Sequence, residues 1–269
     1  MKTKKLLITC ILLIVAITAS SVSYSKANFK ALNLVGKINN TLTIHMEITP
    51  SAVKKSSLTG MGTFLSYDGV ICQYSGYYYD VNENNKKFRI DGYLYFSGYL
   101  SLTAYDNKNK EKGVFSGFVY GNQMIKGVWR NPRGKRSPFY LVDTNINPDS
   151  FNLKVPVDRV GGYARVGNSK TNEANLTILA ETDDKFTFEI YAFWINPADA
   201  KAAANTGILD GIAIYTDESR TKAVYSNAAD KYKMTFKFTE KQLEITANYV
   251  RKYCGPNVSL VGTFKQTKK

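Results

Sequence analysis

The chain has one histidine, three cysteines, two tryptophans and seven prolines in 269 residues, and its 22 acids are outnumbered by 36 Lys and Arg. Each shortage excludes something. A lone histidine leaves little room for imidazole chemistry. His45 also has no Ser/Asp partner or metal-ligand spacing around it and reads as a surface residue of a strand. Cys10 falls in an apolar N-terminal run, and the remaining Cys72 and Cys254 are too few for a disulfide scaffold, so a hydrophobic core must hold the fold. Those two cysteines lie in different predicted modules, flanked by Ile71 and Tyr253, and are expected as unbridged thiols. Gly-x-Ser-x-Gly, His-Glu-x-x-His, Cys-x-x-Cys and phosphate-loop patterns are all lacking, so hydrolase, metal and nucleotide readings lose their usual support. No metal or cofactor is expected.

What is present is 44% hydrophobic and 13% aromatic residues, enough for one large or two small cores. Nineteen tyrosines, fourteen phenylalanines and nineteen glycines favour pleated, half-buried sheets. At the N-terminus Lys2, Lys4 and Lys5 precede an apolar run from Leu6 to Ala19, followed by small polar residues to Ala27. That is the layout of a secretory signal peptide, and the run is shorter than the roughly 20 residues a membrane-spanning helix needs. Leu7-Ile8-Thr9-Cys10 loosely resembles a lipobox but sits too early and is followed by more apolar residues. The expectation is a protein exported to the periplasm or beyond, at most peripheral to a membrane. Removing residues 1–27 takes away Lys2, Lys4, Lys5 and Lys26 and no acid, so the formal charge falls by four from +14 to +10. A basic exported protein suits anionic envelope polymers or lipid headgroups, and export makes nucleic acid an unsuitable natural ligand.

From Ala31 onward the apolar period is close to 2. Leu42, Ile44, Met46 and Ile48 alternate with Thr43, His45 and Glu47, the pattern of a half-buried strand. Further strands are expected at 73–79, 87–96, 99–105, 113–119, 124–129 and 138–142, separated by turns such as Asp106-Asn107-Lys108-Asn109. A meander of about eight strands protects its edges by curling toward a barrel. Residues 143–157, with Asn145, Asn147, Pro148 and Pro156, break the pattern and mark a boundary. The organisation expected is a signal peptide at 1–27, a first β-module at 28–143, a linker and lead-in at 144–170, and a second, smaller antiparallel sheet or barrel at 171–269. In the second module strands are expected at 174–180, 185–194, 211–215, 222–225, 232–238, 243–247 and 258–265. Gly161-Gly162 reads as a flexible turn, and Pro197 to Ala204, with five alanines, as one or two helical turns capped by Asn205 and Gly207. The class is therefore all-β, in two antiparallel modules with a short helix, and Trp129 and Trp194 are expected in their cores.

Two surface features are candidate binding sites. If Phe88, Ile90, Leu94 and Phe96 face inward, as do Leu100, Leu102 and Ala104 on the next strand, then Tyr93, Tyr95, Tyr99 and Tyr105 share the opposite face. Tyrosine offers a flat apolar body and a hydroxyl, suited to sugar rings or a protein partner; the alternative is that this face packs on the second module. The second feature is the hairpin from Trp129 to Arg136, where Arg130, Arg133, Lys135 and Arg136 make a basic tip that suits an anionic polymer or phospholipid. Its alternative is a solvated turn guarding a sheet edge. The acid pairs Asp183-Asp184 and Asp217-Glu218 fall in predicted turns, where carboxylates bond backbone amides.

Gly76-Tyr77-Tyr78-Tyr79, Ile90-Asp91-Gly92, Leu100-Ser101-Leu102, Phe115-Ser116-Gly117, Gly127-Val128-Trp129 and Pro138-Phe139 together resemble a module of uncharacterised exported bacterial proteins. Gly211 to Tyr215, Met234 to Phe238, Cys254-Gly255-Pro256-Asn257-Val258 and Gly262-Thr263-Phe264 are similar to a second module of such proteins, some loosely described as lysozyme-inhibitor-like. The resemblance implies the fold more than a function. That second module often carries a cysteine before its Thr-Phe-x-Phe strand, able to pair with the one at Cys254; here the stretch is Asp230-Lys231-Tyr232-Lys233, so the local bridge is missing. The primary expectation is a non-catalytic envelope-associated binding protein whose partner is an anionic envelope component, a glycan or a cell-surface protein. The resemblance implies an alternative, a periplasmic inhibitor of a cell-wall enzyme, although a charge of +10 disfavours docking to a basic lysozyme. A hydrolase of envelope glycans is a third reading.

Overall fold

Alternating apolar residues on a chain with few prolines form continuous strands, and a sheet that closes on itself buries one face of every strand. The computed structural model describes residues 30–53, 69–81, 86–95, 97–121, 124–148, 156, 158–198, 203–229, 231–240, 242–250 and 252–267. The expected signal peptide and residues 149–155 and 157 of the boundary expected at 143–157 lie outside the described residues, as does Phe96.

The first eight strands are β1 (Leu32–Ile38), β2 (Leu42–Ser51), β3 (Val70–Asp80), β4 (Lys86–Tyr95), β5 (Tyr99–Tyr105), β6 (Glu111–Tyr120), β7 (Met124–Arg130) and β8 (Arg136–Asp143). They form an antiparallel meander that closes into a barrel when β1 pairs with β8, from Leu34 opposite Asp143 to Ile38 opposite Phe139. Barrel 1 is filled: Tyr78, Phe88, Phe115 and Phe139 are buried, and the Trp129 ring lies 4.3 Å from Phe115 and 6.0 Å from Tyr78, centroid to centroid. Its strands bend tightly at glycines. A Cβ on Gly127 would sit 2.1 Å from the Ser116 carbonyl oxygen and 2.4 Å from Gly117 Cα, a separation only a residue without a side chain tolerates.

The second eight are β9 (Gly161–Arg165), β10 (Asn172–Glu181), β11 (Lys185–Trp194), β12 (Asn205–Tyr215), β13 (Lys222–Asn227), β14 (Tyr232–Phe238), β15 (Leu243–Ala247) and β16 (Gly262–Gln266). They close into a second antiparallel barrel, in which β9 is bonded to both β10 and β16. Its interior is also aromatic, with Phe236 4.8 Å from Phe188 and 5.3 Å from Phe186.

The all-β, two-module class expected from the sequence is thus found, as two eight-stranded closed barrels. Several local expectations are corrected. The described part of the alanine-rich segment, residues 197–198 and 203–204, carries no helix, and its supposed caps Asn205 and Gly207 belong to β12, paired with Trp194 and Ala192 of β11. Strand pairing over the full length of β11 takes up these two residues, which a helix would need as its end. Gly161-Gly162 is not a free turn but the start of β9, and the expected linker and lead-in therefore contain a barrel strand. Trp129 and Trp194 are half-buried rather than enclosed. Cys72 and Cys254, by contrast, are unbridged as expected, Cys72 inside barrel 1 and Cys254 against Gly207 of barrel 2.

Candidate functional site

The outward-facing side chains of β3 to β8 form one surface of barrel 1, and their register orders them in rows. One row runs Gln73, Tyr93, Ser101, Ser116 and Val128 across β3, β4, β5, β6 and β7. The next runs Asp91, Thr103, Val114, Arg130 and Arg136 across β4 to β8. A third, shorter one brings Arg89, Tyr105 and Glu111 together. The four tyrosines read from the sequence do share this face, but barrel 2 divides them. Tyr95 and Tyr99 are 3% and 4% exposed, their rings 5.4 Å apart, and they pack with Phe118 against Ala180 and Ile212 of the second barrel. Burial raises the Tyr99 pKa, opposed by hydrogen bonds with Ser116 and Ser101. Tyr93 and Tyr105 stay half-buried, and the Arg89 guanidinium lies 4.5 Å from the Tyr105 ring centroid.

Between this face and barrel 2 lies a cleft of about 760 Å³. Its floor is the two longer rows together with Tyr95, Tyr99, Tyr105 and Glu111; its opposite wall is Val160, Gly161 and Gly162 at the start of β9, and Thr177, Ile178 and Leu179 of β10. A β-bulge between Ile178 and Ala180 lets Leu179 leave the β10–β11 register and turn toward the cleft. The cleft joins the two features the sequence kept apart, because the basic hairpin is also split. Arg130 and Arg136, paired across β7 and β8, line the cleft, whereas Arg133 and Lys135 stand exposed at the tip. The tip is a tight loop. Asn131 Oδ1 accepts from the Arg133 and Lys135 amides, both at 3.0 Å, and Gly134 takes φ 82°.

Arg136 is the unusual group. Its Nε and Nη1 are buried, and neither has a hydrogen-bond partner among the described residues. A Cβ on Gly161 would be 3.0 Å from both Nη atoms, so the guanidinium lies directly over the Gly161 backbone, which takes φ 141°. Burial and the neighbouring Arg130 charge lower the Arg136 pKa, with Tyr163 opposing them. Arg130 has Glu111 at 3.8 Å, and Asp91 is paired with Arg89.

Two arrangements hold the walls in place. At one side of the cleft the Tyr120 hydroxyl of β6 donates to Asp184 Oδ1 at 2.7 Å, with Thr182 Oγ1 2.9 Å away, and Lys185 Nζ sits 4.8 Å and 4.7 Å from the Phe118 and Tyr120 ring centroids. Burial opposes ionisation of Asp184, but the bonds from Tyr120 and Thr182 and the Lys185 charge hold its pKa below the usual range. Behind the other wall Glu181 is fully buried. It accepts from Tyr215 at 2.6 Å, from Arg220 at 2.7 Å and from the Arg159 amide at 3.3 Å, while the Tyr163 hydroxyl donates to the Arg159 carbonyl at 2.8 Å. This network clamps the approach to β9 and so fixes Val160, Gly161 and Gly162 opposite Arg136.

The remaining sequence candidates are elsewhere. His45 is exposed on β2, and Asp217 closes the β12–β13 turn, bonded to Ser219 and Thr221 and to the Lys222 amide. Among the described residues no cluster of three or more His, Cys, Asp or Glu suits a metal ion, and no helix is long and apolar enough to cross a membrane. The sequence reading missed the hydroxyl groups of the floor, Ser101, Thr103 and Ser116, and the whole wall from barrel 2. The hydroxyls were open to discovery, since each lies at an outward position of a strand already assigned. Comparison of the chain with family models, with curated proteins and with solved structures finds no match.

Proposed function

We propose that this is a non-catalytic, exported binding protein of the cell envelope that takes an anionic ligand in the cleft between its barrels. One observation carries the reading: Arg136 lines an open cleft, and two buried nitrogens of its guanidinium have no hydrogen-bond partner among the described residues. Buried donors are almost always satisfied, and a cation left without acceptors is costly unless something else supplies them. An anionic group entering the cleft would meet Arg136 and the adjacent Arg130 together, in the fork geometry that favours carboxylate, sulfate or phosphate oxygens. The overall basic charge would draw such a ligand in from solution. The filled barrels leave the cleft and the outer surface as the places for binding. Export and envelope association rest on the N-terminal pattern and the charge.

The test separates the cleft from the hairpin tip. Protein lacking residues 1–27 is applied to an isolated anionic envelope polymer fraction at low salt, as wild type, as a cleft variant (Arg130→Gln with Arg136→Gln) and as a tip variant (Arg133→Gln with Lys135→Gln). Both variants lose two charges. Retention of the tip variant with loss of the cleft variant is expected. Equal weakening of the two would mean diffuse charge attraction and would overturn the reading.

A further inference from the structure

We infer that the ligand of the cleft is an acidic oligosaccharide, a chain of sugar rings bearing carboxylates, with one carboxylate seated on Arg136. This rests on the proposed anion-binding role of the cleft and narrows it by chemistry. Arg136 has no ion pair among the described residues, but it is not part of a uniformly cationic groove. Asp91 and Glu111 line the same cleft, so two acids face two arginines. A densely charged ligand such as a polyphosphate or a nucleic acid would place anionic groups beside Asp91 and Glu111, whereas a ligand with isolated charges need not.

The rest of the floor fits sugar. Ser101, Thr103 and Ser116 are neighbours across β5 and β6, and Gln73 closes the end of their row. These are neutral donors and acceptors suited to ring hydroxyls, and the carboxylates of Asp91 and Glu111 are additional acceptors for them. Tyr93 and Tyr105 flank the hydroxyl groups with half-buried rings, and an aromatic face accepts the apolar C–H face of a pyranose. The row from Asp91 to Arg136 crosses four strand intervals, about 19 Å at the usual spacing of paired strands. That span suits an oligomer rather than a single ring. The opposite wall adds no side chain at Gly161 and Gly162, and the Arg136 guanidinium packs directly over the Gly161 backbone.

The experiment uses three probes on the protein without residues 1–27, with affinity measured by calorimetry and amide chemical shifts: tetragalacturonate, its methyl ester, and tripolyphosphate. Tetragalacturonate is expected to bind, with shifts centred on Tyr93, Thr103 and Arg136. Its methyl ester and the Arg136→Gln variant are each expected to weaken binding at least about tenfold, the loss of a charge-assisted fork. Tyr105→Leu is expected to weaken tetragalacturonate while leaving any tripolyphosphate binding unchanged. Far-ultraviolet circular dichroism and the thermal midpoint establish that each variant is folded. If tripolyphosphate binds through Arg136 and tetragalacturonate does not, the saccharide assignment fails while the anion-binding cleft stands. If neither probe depends on Arg136, both fail together.

Discussion

Replacing Arg136 with methionine should stabilise the unliganded protein. Methionine keeps an apolar unbranched stem but ends near the position of Nε, so it gives up the contact over Gly161 while removing a guanidinium whose Nε and Nη1 are buried with no acceptor among the described residues. An unsatisfied buried donor costs about 1–3 kcal/mol, and charged groups cost more. Two such atoms would double that figure. Arg136 as a whole is only half-buried, however, so part of its hydration survives, and the net gain expected for Arg136→Met is about 1–3 kcal/mol. Relief of repulsion from Arg130 acts in the same direction. For a folded region of this size each kcal/mol is worth about 2–4 °C in Tm, so calorimetry should show a rise of several degrees. Denaturant titration should show a higher midpoint with an unchanged slope. Arg136→Lys, which retains a buried cation, should gain little. A fall of more than about 1 kcal/mol in Arg136→Met would refute the reasoning, because the guanidinium would then be a structural member of the barrel interface.

Two further outcomes follow from the geometry. Gly127→Ala forces a Cβ to within 2.1 Å of the Ser116 oxygen, which is backbone and cannot rotate away. We expect a loss of about 3 kcal/mol or more in urea denaturation, above the usual range for side-chain overpacking, and a loss below about 1 kcal/mol would show that β6 and β7 separate freely. Asp217 is held at a pKa of about 2, first by the Thr221 hydroxyl and then by the Lys222 amide, against an ordinary value of 3.8. Its folded value is depressed, so its contribution to stability is complete above 3.8 and is lost as the pH falls from there to about 2. Asp217→Asn should flatten the stability profile across that window and leave it unchanged at neutral pH; an identical slope in the variant would show that the turn bonds do not bind the carboxylate.

The strands were readable because each carries its own evidence: apolar residues at every second position, bounded by turn residues. β5, β11, β14 and β15 begin and end where the alternation does. Reading failed where the decisive interaction was remote. Nothing near Asn205 announces that ten residues of β12 pair with β11, and five alanines upstream suggest a helix whose supposed caps, Asn205 and Gly207, belong to the sheet. Gly161-Gly162 looks like a hinge because glycine permits one, yet its partners are Ile178 and Thr177 of β10, which the sequence does not connect to it.

The cleft shows the same division at a finer scale. Alternation on β4 and β5 put four tyrosines on one face, and the turn at Asn131 put Arg130 and Arg136 on neighbouring strands. Each inference needed only local register. What decides their roles is how barrel 2 lies across that face. All four border the cleft, but Tyr95 and Tyr99 are buried, packed with Ala180 and Ile212, while Tyr93 and Tyr105 stay half-buried. The hairpin divides for the same reason, with Arg136 under the wall and Arg133 beyond it. Because every surface tyrosine has the same body and hydroxyl, composition cannot separate those that glue two barrels together from those left to meet a ligand. The unpartnered guanidinium can, since packing alone gives a buried cation no reason to remain without acceptors.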